Sequence, residues 1–581
     1  MILTALDWSL IAGYFAVSLA IGLYYSRRGS RSVGEYFLSG RSLPWWLAGT
    51  SMVATTFAAD TPLAVAGLVA RNGIAGNWIW WNGALGGMLT VFFFARLWRR
   101  AGILTDVEFA ELRYSGRPAA LLRGFRALYL GIPINCVIMG WVNLAMAKIL
   151  AITMGWDRLT AVFISLAITG FYAALSGLWG VVVTDFFQFV FAMGGTIALA
   201  YFAMRLPEIG GIAGLQQKLP PETFEFLPRI GDASPLQTGA TLALPAAAFF
   251  AYVGVQWWAS WYPGQEPGGG GYVAQRMMSA KDERHSFLAT LWFTIAHYCV
   301  RPWPWILVGL ASLILYPDLT DKESGYVMVM RDHLPAGWRG LLLGAFFAAY
   351  MSTIATQLNW GTSYVVNDFY RRFVRRDGTE GHYVWVSRVT TILLMIASGI
   401  VTFYLESIRQ AWEFVLESGA GIGLVLILRW YWWRVNAWSE ISAMVAAAIG
   451  FGSLRLFTGL RFPDSLLLVV AITTVVWLIV TMATRPEPEA HLLAFYRRTR
   501  PDGPGWGPIA AKAGGPPPAP IGGLLIDWIA GGVLVYATLF GFGAVILGRL
   551  AEGAAWLGTA AAAIAIIYRD LSRRGWKTIT S

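Results

Sequence analysis

Long apolar segments separated by short polar ones repeat along almost the whole chain. Residues 8–25, 160–175 and 466–482 are typical of these segments. A run of about 18 or more mostly apolar residues is long enough to cross the hydrocarbon core of a bilayer as a helix. We therefore predict an all-α polytopic membrane protein with about fifteen spans. The predicted spans are residues 5–25, 44–70, 76–98, 119–153, 158–176, 178–203, 239–262, 286–316, 339–366, 384–406, 409–430, 437–458, 464–484, 523–548 and 552–568.

The composition supports a membrane protein and changes the meaning of the net charge. Hydrophobic residues make up 56% of the 581 residues and charged residues only 13%, whereas a soluble domain carries about 25% charged residues. The net charge of +11 would suit nucleic acid, but the arginines cluster in short loops between apolar segments, which is a topology signal. We expect a lipid bilayer and no nucleic acid as partner. The two cysteines lie inside apolar segments and predict no disulfide framework.

These arginine clusters predict the orientation of the chain. They follow the first, third, ninth, thirteenth and last spans, which places them all on one side if every span crosses. The positive-inside rule makes that side cytoplasmic. We therefore expect a multi-pass protein of the plasma (inner) membrane with its N-terminus outside and its C-terminus inside. The clusters are Arg27, Arg28, Arg31 and Arg41; Arg96, Arg99, Arg100 and Arg113; Arg371, Arg372, Arg375 and Arg376; Arg497, Arg498 and Arg500; and Arg569, Arg573 and Arg574.

Spans two to six and spans seven to eleven form two sets of five with opposite orientation, because five is odd. The first span of each set is interrupted, at residues 55–62 (TTFAADTP) and at residues 261–271, where Pro263 and Gly264 precede a run of four glycines. Interruptions at corresponding positions of two inverted halves indicate a transporter with a central binding site. A chance coincidence of helix kinks is the alternative.

This pattern predicts a division of the chain into segments. The core consists of the two inverted halves, and the remaining segments are peripheral spans, loops or linkers. The Pro/Gly-rich stretch 485–522 is typical of a flexible cytoplasmic linker. The predicted segments are 1–43 (first span and loop), 44–204 (repeat one), 205–238 (outer loop), 239–435 (repeat two), 436–484 (two spans), 485–522 (linker) and 523–581 (C-terminal span pair and tail).

Four short motifs resemble the sodium:solute symporter family at consistent positions along residues 8–435. They are EYFLSGRSLPWW at 35–46, AGILTDVEF at 101–109, SGLWGVVVTDFFQ at 176–188 and AAYMSTIATQLN with DFY at 348–370. The resemblance implies a LeuT-type fold with a 5+5 inverted repeat and additional peripheral helices. It also implies that the chain is a Na⁺-coupled secondary transporter of a small-molecule solute, with Na⁺ as its bound ion, and not an enzyme. It says nothing of the oligomeric state.

The resemblance implies one sodium site between the second and ninth spans. Its ligands would be the carbonyls of Ala54, Phe57 and Ala349 and the hydroxyls of Ser352 and Thr353. These residues suit a hard cation, which prefers oxygen ligands, although the hydroxyls could instead bond only to their own helix. Asp185 is a carboxylate inside a span and, with Thr356, is a candidate for a second sodium or for gating. Ala355 offers no side-chain oxygen to such a second site.

The solute site departs from that of the sugar-transporting members. Aromatic residues and one histidine align where those members carry polar residues that bind sugar. Tryptophan can stack on a sugar ring or hold a cation, but it also packs helices. A histidine in a span can be structural, can bind solute or can titrate. The candidate solute residues are Asp60, Thr61, Trp80, Trp257, Trp258, His297 and Trp412.

Several alternatives remain open from the sequence. The solute could be a sugar or polyol, which the resemblance favours, or a carboxylate or amino acid. Coupling could use protons, or sodium dependence could be lost. A membrane-embedded enzyme is disfavoured because the chain has no H-E-x-x-H, P-loop or G-x-S-x-G motif. The roles of Arg301, Glu413, Glu417 and Arg429 are not assigned.

Overall fold

The computed structural model describes residues 3–29, 38–173, 178–230, 243–244, 249–262, 266–460, 462–514 and 517–574. The motif residues 35–37 and 176–177, and Pro263 and Gly264 of the second interruption, lie outside the described residues. Helices dominate the described chain, and its only strands are two residues each, pairing in parallel as Arg229–Ile230 with Ala243–Leu244.

The first half of the chain contains helices α1 to α8. Short 3₁₀ turns and one five-residue helix, Phe109–Arg113, connect them. The bounds are α1 Ala5–Gly29, α2 Trp45–Thr55, α3 Asp60–Asn72, α4 Ile74–Ala101, α5 Gly116–Met154, α6 Arg158–Ala173, α7 Leu178–Met204 and α8 Gly211–Lys218.

The second half begins with the interrupted helix α9–α10 and ends with a helical hairpin. The bounds are α9 Ala251–Gln256 continuing through Trp257–Ala259, α10 Gly271–Ser279, α11 Glu283–Leu315, α12 Gly325–His333, α13 Trp338–Val374, α14 Glu380–Tyr404, α15 Ile408–Ser418, α16 Gly423–Tyr431, α17 Ala437–Phe457, α18 Asp464–Ala483, α19 Glu489–Thr499, α20 Gly507–Ala513, α21 Gly522–Ile546 and α22 Leu550–Arg574.

The number of membrane spans differs from the predicted fifteen. Ten helices of the described chain are long and apolar enough to cross a bilayer, or eleven if the bent pair α2–α3 counts as one. The remaining predicted segments are the first, fifth, seventh and eleventh. The first corresponds to the 25-residue helix α1 and the fifth contains the 16-residue helix α6. Of the seventh, residues 243–244 and 249–262 are described, the latter containing α9, and the eleventh is divided into α15 and α16. The count of about fifteen is therefore not confirmed.

The predicted interruption of the second span is present. Helix α2 ends at Thr55, helix α3 begins at Asp60, and their axes differ by 61°. Pro62 lies in the first turn of α3, where its missing N–H would have no helical acceptor in any case. In the corresponding interruption of the second half, Gly268 and Gly269 have φ of +83° and +80°, which is the left-handed region that glycine adopts without strain.

The 485–522 stretch differs from the predicted flexible linker. It contains α19 and α20, and Trp506 between them is fully buried. The Trp506 indole N–H donates to the carbonyl of Trp430 at 2.7 Å, and Asp502 pairs with Arg96. Its proline and glycine content indicated a flexible chain, but the aromatic and charged residues between them supply enough contacts to order it.

The interrupted helices lie at the centre of the bundle. Helix α2 packs against α7, α11 and α13, and α3 packs against α11. Helix α13 also packs against α5 and α7. The end of α2 is thereby held between α7 and α13, where the candidate site lies.

Candidate ion and solute site

The carbonyl end of α2 meets the hydroxyl pair of α13. The Thr353 hydroxyl lies 3.5 Å from the Thr55 carbonyl oxygen, and both Ser352 and Thr353 are buried. Because α2 stops here, the carbonyls of its last turn are not all taken up by a continuing helix. Ala54, Phe57 and Ala349 are buried around the same junction. The structure thus brings together the two segments that the predicted sodium site requires.

Asp185 on α7 connects these two segments. Its Oδ2 accepts the hydroxyl proton of Ser51 on α2 at 2.6 Å, and its Oδ1 accepts that of Ser352 on α13 at 2.6 Å. The buried Arg276 guanidinium lies beside the same group, with its Nε 3.4 Å from the Ser51 hydroxyl. Since the Ser352 hydroxyl donates its proton to Asp185, its oxygen lone pairs remain available to a cation.

Asp185 and Thr356, the residues predicted for a second sodium or for gating, differ in their hydrogen bonding. Asp185 already accepts two hydrogen bonds. The Thr356 hydroxyl is buried and has no hydrogen-bond partner among the described residues. Gln188, on the same helix as Asp185, donates through Nε2 to the carbonyl of Ala348 at 2.6 Å. This contact gives the α7–α13 interface a second polar connection.

A cavity lies immediately beside this junction, next to the interruption of α2–α3. Thr353 of the hydroxyl pair is one of its lining residues, so ion and solute positions would be neighbours. The cavity is lined by Thr55, Thr56, Ala58, Asp60, Thr61, Ile79, Trp80, Ile138, Trp141, Val142, Tyr262, Tyr272, His297, Arg301, Thr353, Gln357, Trp412 and Leu416.

Five of the seven predicted solute residues line this cavity, namely Asp60, Thr61, Trp80, His297 and Trp412. Trp257 and Trp258 do not. The Trp257 ring packs on Trp528 of α21 at a centroid distance of 5.4 Å. Both indole N–H groups donate to backbone carbonyls one turn earlier in the same helix. The alignment identified the correct helix, but the rotation of α9 about its axis turns these two side chains away from the cavity.

Arg301 and His297 form a polar cluster against the end of α2. Arg301 Nη1 donates to the Thr56 hydroxyl at 3.0 Å and lies 3.4 Å from the Val53 carbonyl oxygen. Its Nη2 donates to His297 Nδ1 at 2.7 Å. His297 is therefore the structural partner of a buried cation as well as a lining residue. Glu413, whose role the sequence leaves unassigned, pairs with Arg409 at 3.2 Å.

Sequence reasoning missed several lining residues. Tyr262 lies at the second interruption and Gln357 lies one turn beyond Thr353, so both positions carried a signal in their spacing. Thr56 lies within the first interruption and also could have been found. Trp141 on α5 and Tyr272 on α10 had no such signal, because only the packing of distant helices brings them to the cavity.

Residues 36–450 match the sequence profile of the sodium:solute symporter family. The chain belongs to this family. It is 26% identical over 513 residues to a sodium/glucose cotransporter of Vibrio parahaemolyticus, covering 83% of this chain and 91% of that protein. It is 25% identical over 565 residues to sodium/glucose cotransporter 1 of Oryctolagus cuniculus, covering 84% and 80%.

A solved structure shows the same fold. The substrate-bound, outward-open structure of a Na⁺-coupled sialic acid symporter superposes with a TM-score of 0.65 at 19% identity, covering 84% of this chain and 99% of that one. At this identity the likeness concerns the fold alone. The chain is therefore a multi-pass membrane protein with the LeuT-type helical architecture.

Proposed function

We propose that this symporter imports a small organic solute together with Na⁺ by alternating access across the plasma (inner) membrane. The observation that carries the proposal is the meeting of the α2 end with the Ser352–Thr353 pair beside a cavity. Sodium would bind the carbonyls of Ala54, Phe57 and Ala349 and these two hydroxyls. Membership of the sodium:solute symporter family supports Na⁺ as the coupling ion.

Sodium would couple to the solute through the interrupted helix. An ion that binds both α2 and α13 favours the conformation in which these helices are close, and the same conformation completes the cavity. Coupling is then the difference in sodium affinity between conformations. One charge moving through 100 mV supplies about 2.3 kcal/mol, which supports roughly a fiftyfold solute gradient. Asp185 and Thr356 are the candidates for a second sodium or for gating.

Two solute classes have support. A sugar or polyol is suggested by the relatives that are sodium/glucose cotransporters. A carboxylate or amino acid is favoured by the presence of Arg301 in the cavity wall, because guanidinium binds carboxylate well.

Sodium binding can be tested without knowing the solute. We expect NaCl, compared with KCl at the same pH and ionic strength, to raise the thermal unfolding midpoint of the purified protein, because a ligand that binds the folded state stabilises it. Ser352→Ala and Thr353→Ala remove one ligand each and should raise the half-saturating Na⁺ concentration about tenfold, corresponding to about 1.4 kcal/mol.

Ser363→Ala is the matched control on the same helix. Ser363 is buried, but its hydroxyl donates only to the Trp360 carbonyl of its own helix, so its Na⁺ response should equal that of the wild type. Identical melting of the wild type in NaCl and KCl would contradict sodium coupling and favour protons or an uncoupled carrier. An unchanged Na⁺ response in Thr353→Ala would contradict the ligand assignment.

A further inference from the structure

Several hydrogen-bond acceptors in the wall of the cavity are available to a solute. Asp60 and Gln357 are each only 3% exposed, and Asp60 Oδ1 and Gln357 Oε1 have no hydrogen-bond partner among the described residues. The hydroxyls of Thr55, Thr56 and Thr61 donate to backbone carbonyls, so they present lone pairs and no free proton. An unpaired buried acceptor is costly, so a solute rich in donors fits this wall.

Asp60 is also a buried carboxylate, and the charge of Arg301 acts on it only at a distance, without a direct ion pair. Within the described part of the chain it forms no ion pair closer than 4.0 Å. A carboxylate at membrane depth costs several kcal/mol unless a partner compensates its charge. A cationic group of the solute, bound at Asp60, would provide that compensation.

Aromatic side chains surround the same part of the cavity. The rings of Trp141 and Tyr262 stack at a centroid distance of 6.1 Å, and Tyr262 meets Trp412 edge to face at 6.3 Å. All three residues line the cavity together with Asp60. Aromatic faces attract cations through their quadrupole, and the attraction grows when water is excluded.

The other charged residue of the cavity is Arg301, which is 1% exposed. Its donors reach the Thr56 hydroxyl, the Val53 carbonyl and His297, all of them neutral acceptors. No carboxylate of the described chain forms an ion pair with it. One wall of the cavity is therefore negative and another positive, and a solute of zero net charge with separated charges matches both.

A sugar matches this arrangement less well. Each sugar hydroxyl is both a donor and an acceptor, and a hexose would bury several acceptors. The cavity wall also contains donors, among them Trp141, Tyr262, Tyr272 and Trp412, so the preference over a sugar rests on the charge of Asp60 and not on a shortage of donors. An ammonium group has three donors, no acceptor and a positive charge, so it suits the unpaired oxygens of Asp60 and Gln357.

From these contacts we propose that the solute is a small amino acid, with its ammonium group bound by Asp60 and Gln357 among the aromatic rings and its carboxylate facing Arg301. This assignment rests on the proposed function, because it takes the cavity beside the sodium junction as the transport site. It names the solute class for that site, whereas the relatives suggest a sugar.

The test is a thermal-shift series on the full-length purified protein in NaCl and in KCl. The probes are the proteinogenic amino acids, β-alanine and γ-aminobutyrate, compared with glucose, galactose and mannitol. At least one amino acid should raise the unfolding midpoint in NaCl and not in KCl. Its deaminated acid and its decarboxylated amine should each fail at the same concentration. A response to a sugar or polyol, or to none of the amino acids, overturns the proposal.

Asp60→Asn tests the binding residue. It should weaken the amino-acid response at least tenfold and leave unchanged the midpoint shift that Na⁺ causes without solute. That unchanged shift also shows that the variant is folded. Asp318→Asn changes an exposed loop carboxylate and should behave as the wild type. If Asp60→Asn does not fold, Trp412→Leu serves instead and should weaken the response in the same way. Unchanged affinity in the folded variant overturns the proposal.

The same measurements separate the two levels of inference. A Na⁺-dependent response to a sugar, with the Na⁺ shift intact, overturns only the amino-acid assignment. Loss of any difference between NaCl and KCl, with and without solutes, overturns the proposed function itself.

Discussion

Asp185 illustrates how a single side chain can prepare a cation site without being one of its proposed ligands. It accepts hydrogen bonds from Ser51 on α2 and Ser352 on α13. It therefore fixes the orientation of one proposed sodium ligand and connects the two helices that sodium would join. Arg276 beside it supplies positive charge, which reduces the cost of holding a carboxylate inside the membrane. The residue-scale expectation is that Asp185 and Ser352 act together.

We predict that Asp185→Asn weakens Na⁺ binding through Ser352. The amide replaces one acceptor oxygen with a donor, so one of the two serine contacts is lost, and we expect about a tenfold higher half-saturating Na⁺ concentration. In a double-mutant cycle with Ser352→Ala the two effects should fall short of additivity by about 0.5–1.4 kcal/mol. The half-saturating Na⁺ concentration of all four proteins is obtained from the unfolding midpoint as a function of NaCl concentration. Full additivity would show that the two residues act independently.

At the scale of elements, the interrupted helix needs close packing as well as a break. A Cβ at Gly49 on α2 would lie 2.6 Å from the Ala289 carbonyl oxygen and 2.9 Å from Trp292 Cδ1 on α11. Only glycine therefore allows α2 to approach α11 this closely. This approach sets the position of the carbonyls at the end of α2 relative to α13.

We expect Gly49→Leu to separate α2 from α11. Overpacking of this kind costs about 1–3 kcal/mol, so the thermal midpoint should fall, and the Na⁺-dependent shift should fall with it because the α2 carbonyls move. Gly13→Leu is the matched control, since nothing lies within 4 Å of a Cβ at Gly13 on α1. The same loss in both variants would mean that a leucine is harmful anywhere, and the packing argument would fail.

At the scale of the whole molecule, the C-terminal parts of the chain pack onto the segments predicted to form the two repeats. Helix α21 packs against α4 and α11 as well as against α22. The segment 485–513 packs through Trp506 on Trp430 and through Asp502 on Arg96. Because Arg96 and Trp430 belong to different predicted repeats, this segment connects the first and second halves of the chain near the arginine cluster at Arg96.

The predicted orientation can be tested by cysteine labelling. Lys218→Cys lies in the loop expected outside and Arg376→Cys in a loop expected inside, and both positions are exposed. The native Cys136 and Cys299 are buried, so the background should be low. A membrane-impermeant maleimide applied to intact cells should label only Lys218→Cys, and permeabilisation should add Arg376→Cys. The opposite pattern would reverse the topology.

Much of the architecture follows from the sequence because it depends on local properties of the chain. Apolar segments of sufficient length must become helices in a bilayer, since their backbone groups can find no water there. The break after Thr55 follows from a run of threonines, small residues and a proline. Which two helices meet at Ser352 and Thr353 was instead implied by the resemblance of this motif to the family.

The tertiary structure decided which side chains share the cavity. Trp80 and Trp257 are both tryptophans of predicted spans, yet one lines the cavity and the other packs on Trp528. The difference is the rotation of each helix about its own axis, which only packing against the other helices sets. Asp185 and Ser352 are 167 positions apart in the sequence and yet form a hydrogen bond. The 485–513 segment is likewise ordered by contacts with helices far away in sequence. Such contacts are absent from the local pattern, because they exist only when the whole bundle has assembled.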